Sequence, residues 1–321
     1  MDAVSPKLPE VPKMSPERRR AMIRNYLSRY WTLYVLLILP ISFFIIFRYI
    51  PMSYIQIGWK QFMMDGRSVW EMEWVGWKYF QDAFNNRDFF RAIRNTLTLN
   101  MLDLVLGFPM PILMAILLNE LAFKRYKRVT QTITYMPHFL SWVIIAELAN
   151  QLFAPSSGLV NILLTNMGID SVAFMTKPWN WMWTYGWIGV WQNLGWGSIL
   201  YLSAMTSINP ELYEAAVVDG ASRMRRIWHI TLPGIRPTMV VLLIMNLGNI
   251  VRDNFERPFA LRNKLVYEAS DVLAIFVYNY GLKAMKFSLA SAVGIFQSVV
   301  CLVFLIASNQ IAKRLGERGI M

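Results

Sequence analysis

One cysteine and two histidines are all the thiol and imidazole ligands that 321 residues offer. Cys301 has no partner for an internal disulfide, and His138 and His229 are too few to build a metal centre. Charge is scarce as well, at 16% of residues against about 25% in soluble chains. No G-x-x-x-x-G-K run occurs, so the phosphate loop of an ATPase is missing. A disulfide-stapled secreted fold, a disordered chain and a soluble enzyme are set aside on these grounds. An intramembrane enzyme lacks both a nucleophile–base pair and metal-ligand spacing.

What the chain has is apolar bulk. Hydrophobic residues make up 55%, with 13 Trp and 20 Met, and mean hydropathy is +0.35. A membrane-spanning helix needs about 20 mostly apolar residues. Runs almost free of charge occupy 30–47, 95–119 (interrupted by Asp103), 129–153 (by Glu147), 178–210, 237–251 and 287–312. The fold expected is an all-α polytopic membrane protein of about six transmembrane helices. The fifth run is short and must borrow flanking residues. The first does not read as a cleaved signal peptide, because about 30 polar residues precede it and no small-residue cleavage site follows.

Net charge is +12. With six spans, segments 1–29, 120–128, 211–236 and 313–321 share one face and carry 18 Lys/Arg against 8 Asp/Glu. The opposite face carries 12 against 10. Basic loops favour the cytoplasm, so both termini are expected there. Topology thus explains the basic excess, and no nucleic-acid partner is needed. The expected division is a basic cytoplasmic segment at 1–29, a transmembrane domain at 30–312 with a cytoplasmic elbow at 209–236, and a tail at 313–321. Arg18–Arg20 through Arg29 read as an anchor against lipid headgroups. Trp59, Trp70, Trp74, Trp77, Phe80, Phe84, Phe89 and Phe90 crowd the first outer loop, and Trp179, Trp181 and Trp183 stand at the entry to the fourth span. They read as interfacial anchors or as a docking surface.

The elbow is the most informative segment. Asn209 suits a helix N-cap, Pro210 the first helical position, and Glu211 and Glu214 the positive helix start. Asp219-Gly220 signals a turn. A second short helix is expected from Ser222, with Arg223, Arg225 and Arg226 on one side, ended by Pro233 and Pro237. Ala215 and Ala216 leave a smooth surface for close approach. Glu214, Ala215, Ala216, Gly220, Ile230, Leu232 and Pro233 satisfy the pattern E-A-A-x3-G-x9-I-x-L-P. This resembles the cytoplasmic loop of permease subunits in type I binding-protein-dependent ABC importers. Val75-Gly76, Phe80, Phe89 and Asn95-Thr96-Leu97 look like the entry to the second span in sugar permeases. The stretch from Asn254 to Phe259 with Leu265-Val266-Tyr267-Glu268-Ala269-Ser270-Asp271-Val272, Tyr278 and Gly281-Leu282 is similar to the oligosaccharide and polysaccharide branch typified by the bacterial alginate importer. Arg257 and Lys264 depart from that pattern on the expected outer loop.

The resemblance implies a multi-pass subunit of the bacterial inner membrane that forms half of a sugar pathway. A second homologous permease supplies the other half. An ATPase dimer holds the ATP and Mg, and an extracytoplasmic solute-binding protein delivers the carbohydrate. This chain would be non-catalytic and hold no cofactor. Glu214, Ala215, Ala216, Asp219, Gly220, Ala221, Arg223, Ile230, Leu232 and Pro233 would couple it to the ATPase, Glu214 pairing with a basic residue there. The Lys124–Arg128 cluster reads as a positive-inside anchor or as a second ATPase contact. Polar residues at membrane depth are functional candidates: Asp103, Glu147, Gln151, Gln192, Asn193, Asn246, Asn249 and Gln297. Trp187, Trp191 and Trp196 are aromatic platforms for sugar beside Gln192-Asn193. Gln192 and Trp196 share a helix face, which favours them over Asn193. Gly186, Gly189, Gly195 and Gly197 permit close helix packing. His138 is expected to make a hydrogen bond at the Pro137 kink, and Cys301 to pack. An ion-coupled secondary transporter is the alternative, but it expects paired repeats and leaves the elbow without a role.

Overall fold

The computed structural model describes residues 15–252, 255–316 and 319. The described chain is helical throughout, apart from one antiparallel bridge between Lys60 and Trp74. It forms two units, divided after Gln56.

In the first unit, α1 spans Pro16–Phe44. Ser15 caps it by accepting from the Arg18 amide, with Pro16 at the first position and Glu17 in the first turn. Non-helical angles at Tyr30 break the helix where the polar segment meets the apolar run. Beyond that break α1 is apolar on every side and exposed, with Leu36 and Leu39 among its bare side chains, the pattern of a lipid-facing helix.

The second unit holds the bundle. Asn86 caps α2 (Arg87–Gly107) by accepting from Asp88. Next comes α3 (Pro109–Glu120). Pro109 and Pro111 each remove a backbone donor at the junction, so the second span is two collinear pieces, together Arg87–Glu120. The expected third span is broken more deeply. After α4 (Lys124–Tyr135) a tight turn at Met136–Phe139 contains Pro137, and Ser141 restarts the chain as α5 (Trp142–Leu152). A short helix at Leu159–Asn166 precedes α6 (Pro178–Thr206), which is about 43 Å long at 1.5 Å per residue. It packs against α2, α3 and α4 and is the centre of the bundle.

The elbow opens with α7 (Pro210–Val218). Pro233 and Pro237 do not end its second helix, contrary to expectation. Arg223–Arg226 leads through a wide turn at Ile227–Thr231 straight into α8 (Leu232–Gly248). In that turn the Leu232 amide reaches back to the Ile227 carbonyl. This five-residue closure accommodates the donorless Pro233. The short fifth run therefore borrows the elbow helix and becomes a 26-residue span, Arg223–Gly248. After α9 (Glu256–Leu261) a series of short helical segments over 264–283 leads to α10 (Phe287–Arg314), which packs along α8.

Among the described residues four helices are long and apolar enough to cross a membrane: Pro16–Trp59, Arg87–Glu120, Arg223–Gly248 and Phe287–Arg314. The third run fails on length once broken. The Trp, Tyr, Gly and amide content of α6 dilutes its hydropathy.

Three apolar clusters pack the second unit. One, around Trp142, Trp181, Tyr185 and Val266, joins α5 and α6 to the loop after α9. Trp181 is fully buried and donates to the Leu261 carbonyl at 2.9 Å, so it is core rather than an interfacial anchor, while Trp179 is exposed. Phe80 and Phe89 of the first outer loop are also buried, whereas Trp70, Trp74 and Trp77 stay exposed. The short helix Tyr267–Ser270 before α10 is tied to α2: Asn95 donates to the Glu268 and Asp271 carbonyls, and Arg91 pairs with Asp271 at 3.0 Å.

Candidate functional site

Two regions gather the expected site residues: the elbow and a polar cavity against α6.

In the elbow, Asn209 accepts from the Glu211 amide at 3.1 Å, as a cap should. Gly220 sits at φ +73°, and a Cβ there would meet nothing within 4 Å. The glycine is demanded by backbone handedness alone. The amides of Gly220 and Ala221 return to the Val217 and Ala216 carbonyls, closing the end of α7. Ser222 then caps the next helix, accepting from the Arg225 amide. Tyr213 and Thr231 share a hydrogen bond of 3.0 Å that braces the two arms. No residue of α7 is buried. Leu212, Val217, Val218, Met224 and Trp228 are bare, Val218 at 87% exposure. Glu214, Ala215, Asp219 and Arg223 are exposed, and Ala216, Ala221, Ile230 and Leu232 half-buried. Apolar side chains clustered on a polar rim mark a protein contact surface.

The cavity lies between α2, α6, α8 and α9. One lobe, of about 330 Å³, is lined by Asn100, Asp103, His138, Gln192, Asn193 and Arg257 among others. A second, of about 310 Å³, shares Asn100, Asp103, Asn193 and Arg257 and adds Asn246, Asn249 and Arg252. Gln192 is buried, and its Oε1 accepts from Asn193 Nδ2 at 2.8 Å. With that amide donating, Asn193 Oδ1 is the acceptor toward His138 Nδ1 at 3.3 Å, which puts the imidazole proton on Nδ1. The His138 ring stacks on Trp196, centroids 4.6 Å apart and 3° from parallel. Asn193 is thus a cavity residue as much as Gln192. His138, which the sequence suggests only as a kink partner, is part of the same network.

The other tryptophans go elsewhere. Trp187 and Trp191 line a separate apolar groove with Ile145, Leu148 and Trp183, away from the polar residues. Glu147 is exposed and accepts from Gln151 one turn on, outside the cavity. Gln297 donates to the Val251 carbonyl and ties α10 to the end of α8.

Arg257 is the residue the sequence most misplaces. Instead of standing on an outer loop it is buried inside the bundle, 6% exposed. Nη1 pairs with Asp103 Oδ2 at 2.7 Å, and Nη2 donates to the Tyr185 carbonyl. Its guanidinium lies 3.6 Å from the Tyr185 ring centroid. A Cβ on Gly189 would overlap that guanidinium, so the glycine clears the space the arginine fills. The one signal in the sequence was Asp103, a carboxylate in an otherwise uncharged run, which needs a cation in low dielectric but does not say which one.

Residues 107–317 match the family described as the binding-protein-dependent transport system inner membrane component. The chain belongs to that family. This permease is 40% identical to Protein LplB of Bacillus subtilis (strain 168) over 291 residues, 90% of each chain. It is 37% identical to the polygalacturonan/rhamnogalacturonan transport system permease protein YteP of the same organism, covering 99% of this chain and 98% of the other. Its fold superposes with a TM-score of 0.83 and 41% identity on the crystal structure of a bacterial ABC transporter involved in the import of the acidic polysaccharide alginate, covering 92% of this chain and 100% of that one. The protein is therefore an inner-membrane permease subunit of a sugar ABC importer, a non-catalytic component that works with a solute-binding protein.

Proposed function

We propose that this permease forms half of the translocation pathway for an acidic oligosaccharide or polysaccharide fragment of the alginate or polygalacturonan kind. A second, homologous permease completes the pathway. Two ATPase subunits below it bind ATP and Mg, and the elbow conveys their closure to the bundle. The observation that carries this reading is the bare, rigid elbow continuous with α8, one wall of the polar cavity. A push on α7 reaches that wall through the Tyr213–Thr231 brace and an unbroken helix rather than a loop. Glu214 is exposed on the face that the ATPase would cover. Within the cavity the amides of Gln192, Asn193, Asn246 and Asn249 are matched to sugar hydroxyls, and His138, held by stacking on Trp196, lines the same lobe as Gln192. The bundle then moves by rigid-body alternation between inward and outward openings.

The test is substrate-stimulated ATPase and uptake in the reassembled transporter. Glu214→Lys reverses a charge at the contact. Gly220→Val puts a β-branched side chain at φ +73°. Each is expected to uncouple hydrolysis from uptake or to prevent assembly with the ATPase. Normal stimulation and normal uptake in both variants would remove the elbow from the coupling path.

A further inference from the structure

Two arginines and one aspartate line the second lobe of the cavity, so among its described lining residues one positive charge has no counter-charge. The geometry identifies which. Arg257 is spent: Asp103 neutralises it at 2.7 Å, the Tyr185 carbonyl and ring cover it, and it is buried. Arg252 is exposed, lines the same lobe and has no ion-pair partner among the described residues. It stands just beyond the end of α8, four residues from the wall on which Asn246 and Asn249 lie.

We propose that Arg252 sets the charge preference of the pathway, binding the carboxylates of acidic sugar units, while Arg257 only builds the wall. The assignment rests on the reading of this cavity as the sugar path. A guanidinium offers a planar fork that matches a carboxylate in two hydrogen bonds. Low-dielectric walls focus its field into the lobe. The nearby amides serve hydroxyls on acidic and neutral sugars alike, so they give affinity without charge discrimination. A neutral sugar gains nothing from the cation.

The test measures binding of two probes to the assembled permease–ATPase complex: a galacturonate trisaccharide and the same trisaccharide with its carboxylates reduced to alcohols. The wild type is expected to prefer the acidic probe by about tenfold at low salt, less as salt is added. Arg252→Gln is expected to bring the two near parity, and Arg252→Lys to keep most of the preference. Parity in the wild type, an unchanged preference in Arg252→Gln, or equal loss in the Gln and Lys variants overturns the assignment. Two control variants separate it from the underlying reading. If Gln192→Ala or Asn246→Ala weakens both probes while Arg252→Gln changes nothing, only the charge assignment fails. If none of the three changes binding, the cavity is not the sugar path and both fail.

Discussion

Gly189 has no room for a methyl group, and the reason is a charge. The Arg257 guanidinium occupies the space beside it, held by Asp103 and the Tyr185 carbonyl. Gly189→Ala should therefore displace the arginine and destabilise the bundle by about 1–3 kcal/mol, as overpacking does. The readout is the melting temperature of the detergent-purified protein. Asp103→Ala should cost about 1–3 kcal/mol, between the exposed and buried extremes for ion pairs, because its carboxylate is 34% exposed but the arginine it leaves is buried. Asp103→Leu with Arg257→Met should cost less than either change alone, since no charge is then stranded. At this scale the sequence was legible where chemistry is local. The Asn209 cap and the positive φ of Gly220 follow from neighbouring residues. The Asp103–Arg257 pair spans 154 positions, and nothing local marks it. Trp187 and Trp191 line an apolar groove apart from the amides, because helix spacing tells which residues share a face, but not what that face meets.

The elements show the same limit in another form. Apolar runs located α1, α6, α8 and α10 well, but prolines were read by one rule where the structure uses two. Pro137 breaks the third run, as a donorless residue should. Pro233 does not end the elbow helix, because a wide turn at Ile227–Thr231 opens the backbone ahead of it, and Pro237 is carried inside α8. That continuity is what the proposed lever role of the elbow rests on. Its arms are braced by one side-chain hydrogen bond, Tyr213 to Thr231. Tyr213→Phe should cost about 0.5–1.5 kcal/mol and lower the sugar moved per ATP hydrolysed more than it lowers hydrolysis itself. Equal losses in uptake and hydrolysis would show that the brace serves assembly rather than transmission.

For the whole molecule, the charge balance of the sequence, taken over the six spans it leads one to expect, predicts where each loop lies. With Cys301 replaced, a cysteine at Gly316 should resist membrane-impermeant thiol reagents in intact spheroplasts, and one at Arg67 or Asn263 should react. Labelling at both Arg67 and Gly316 from outside would mean an even number of crossings between them rather than the expected five, and the broken run across α4 and α5 would be the first place to look. The central claim is that sugar movement through this chain is driven by ATP spent elsewhere. Uptake into proteoliposomes tests it most directly, with this permease, its homologous partner, the ATPase subunits and the loaded binding protein added or withheld in turn. The account predicts uptake of an acidic oligosaccharide only with all components and ATP present, and none from an ion gradient alone. Uptake by this chain alone, driven by an ion gradient and indifferent to ATP, would contradict it and identify a secondary transporter.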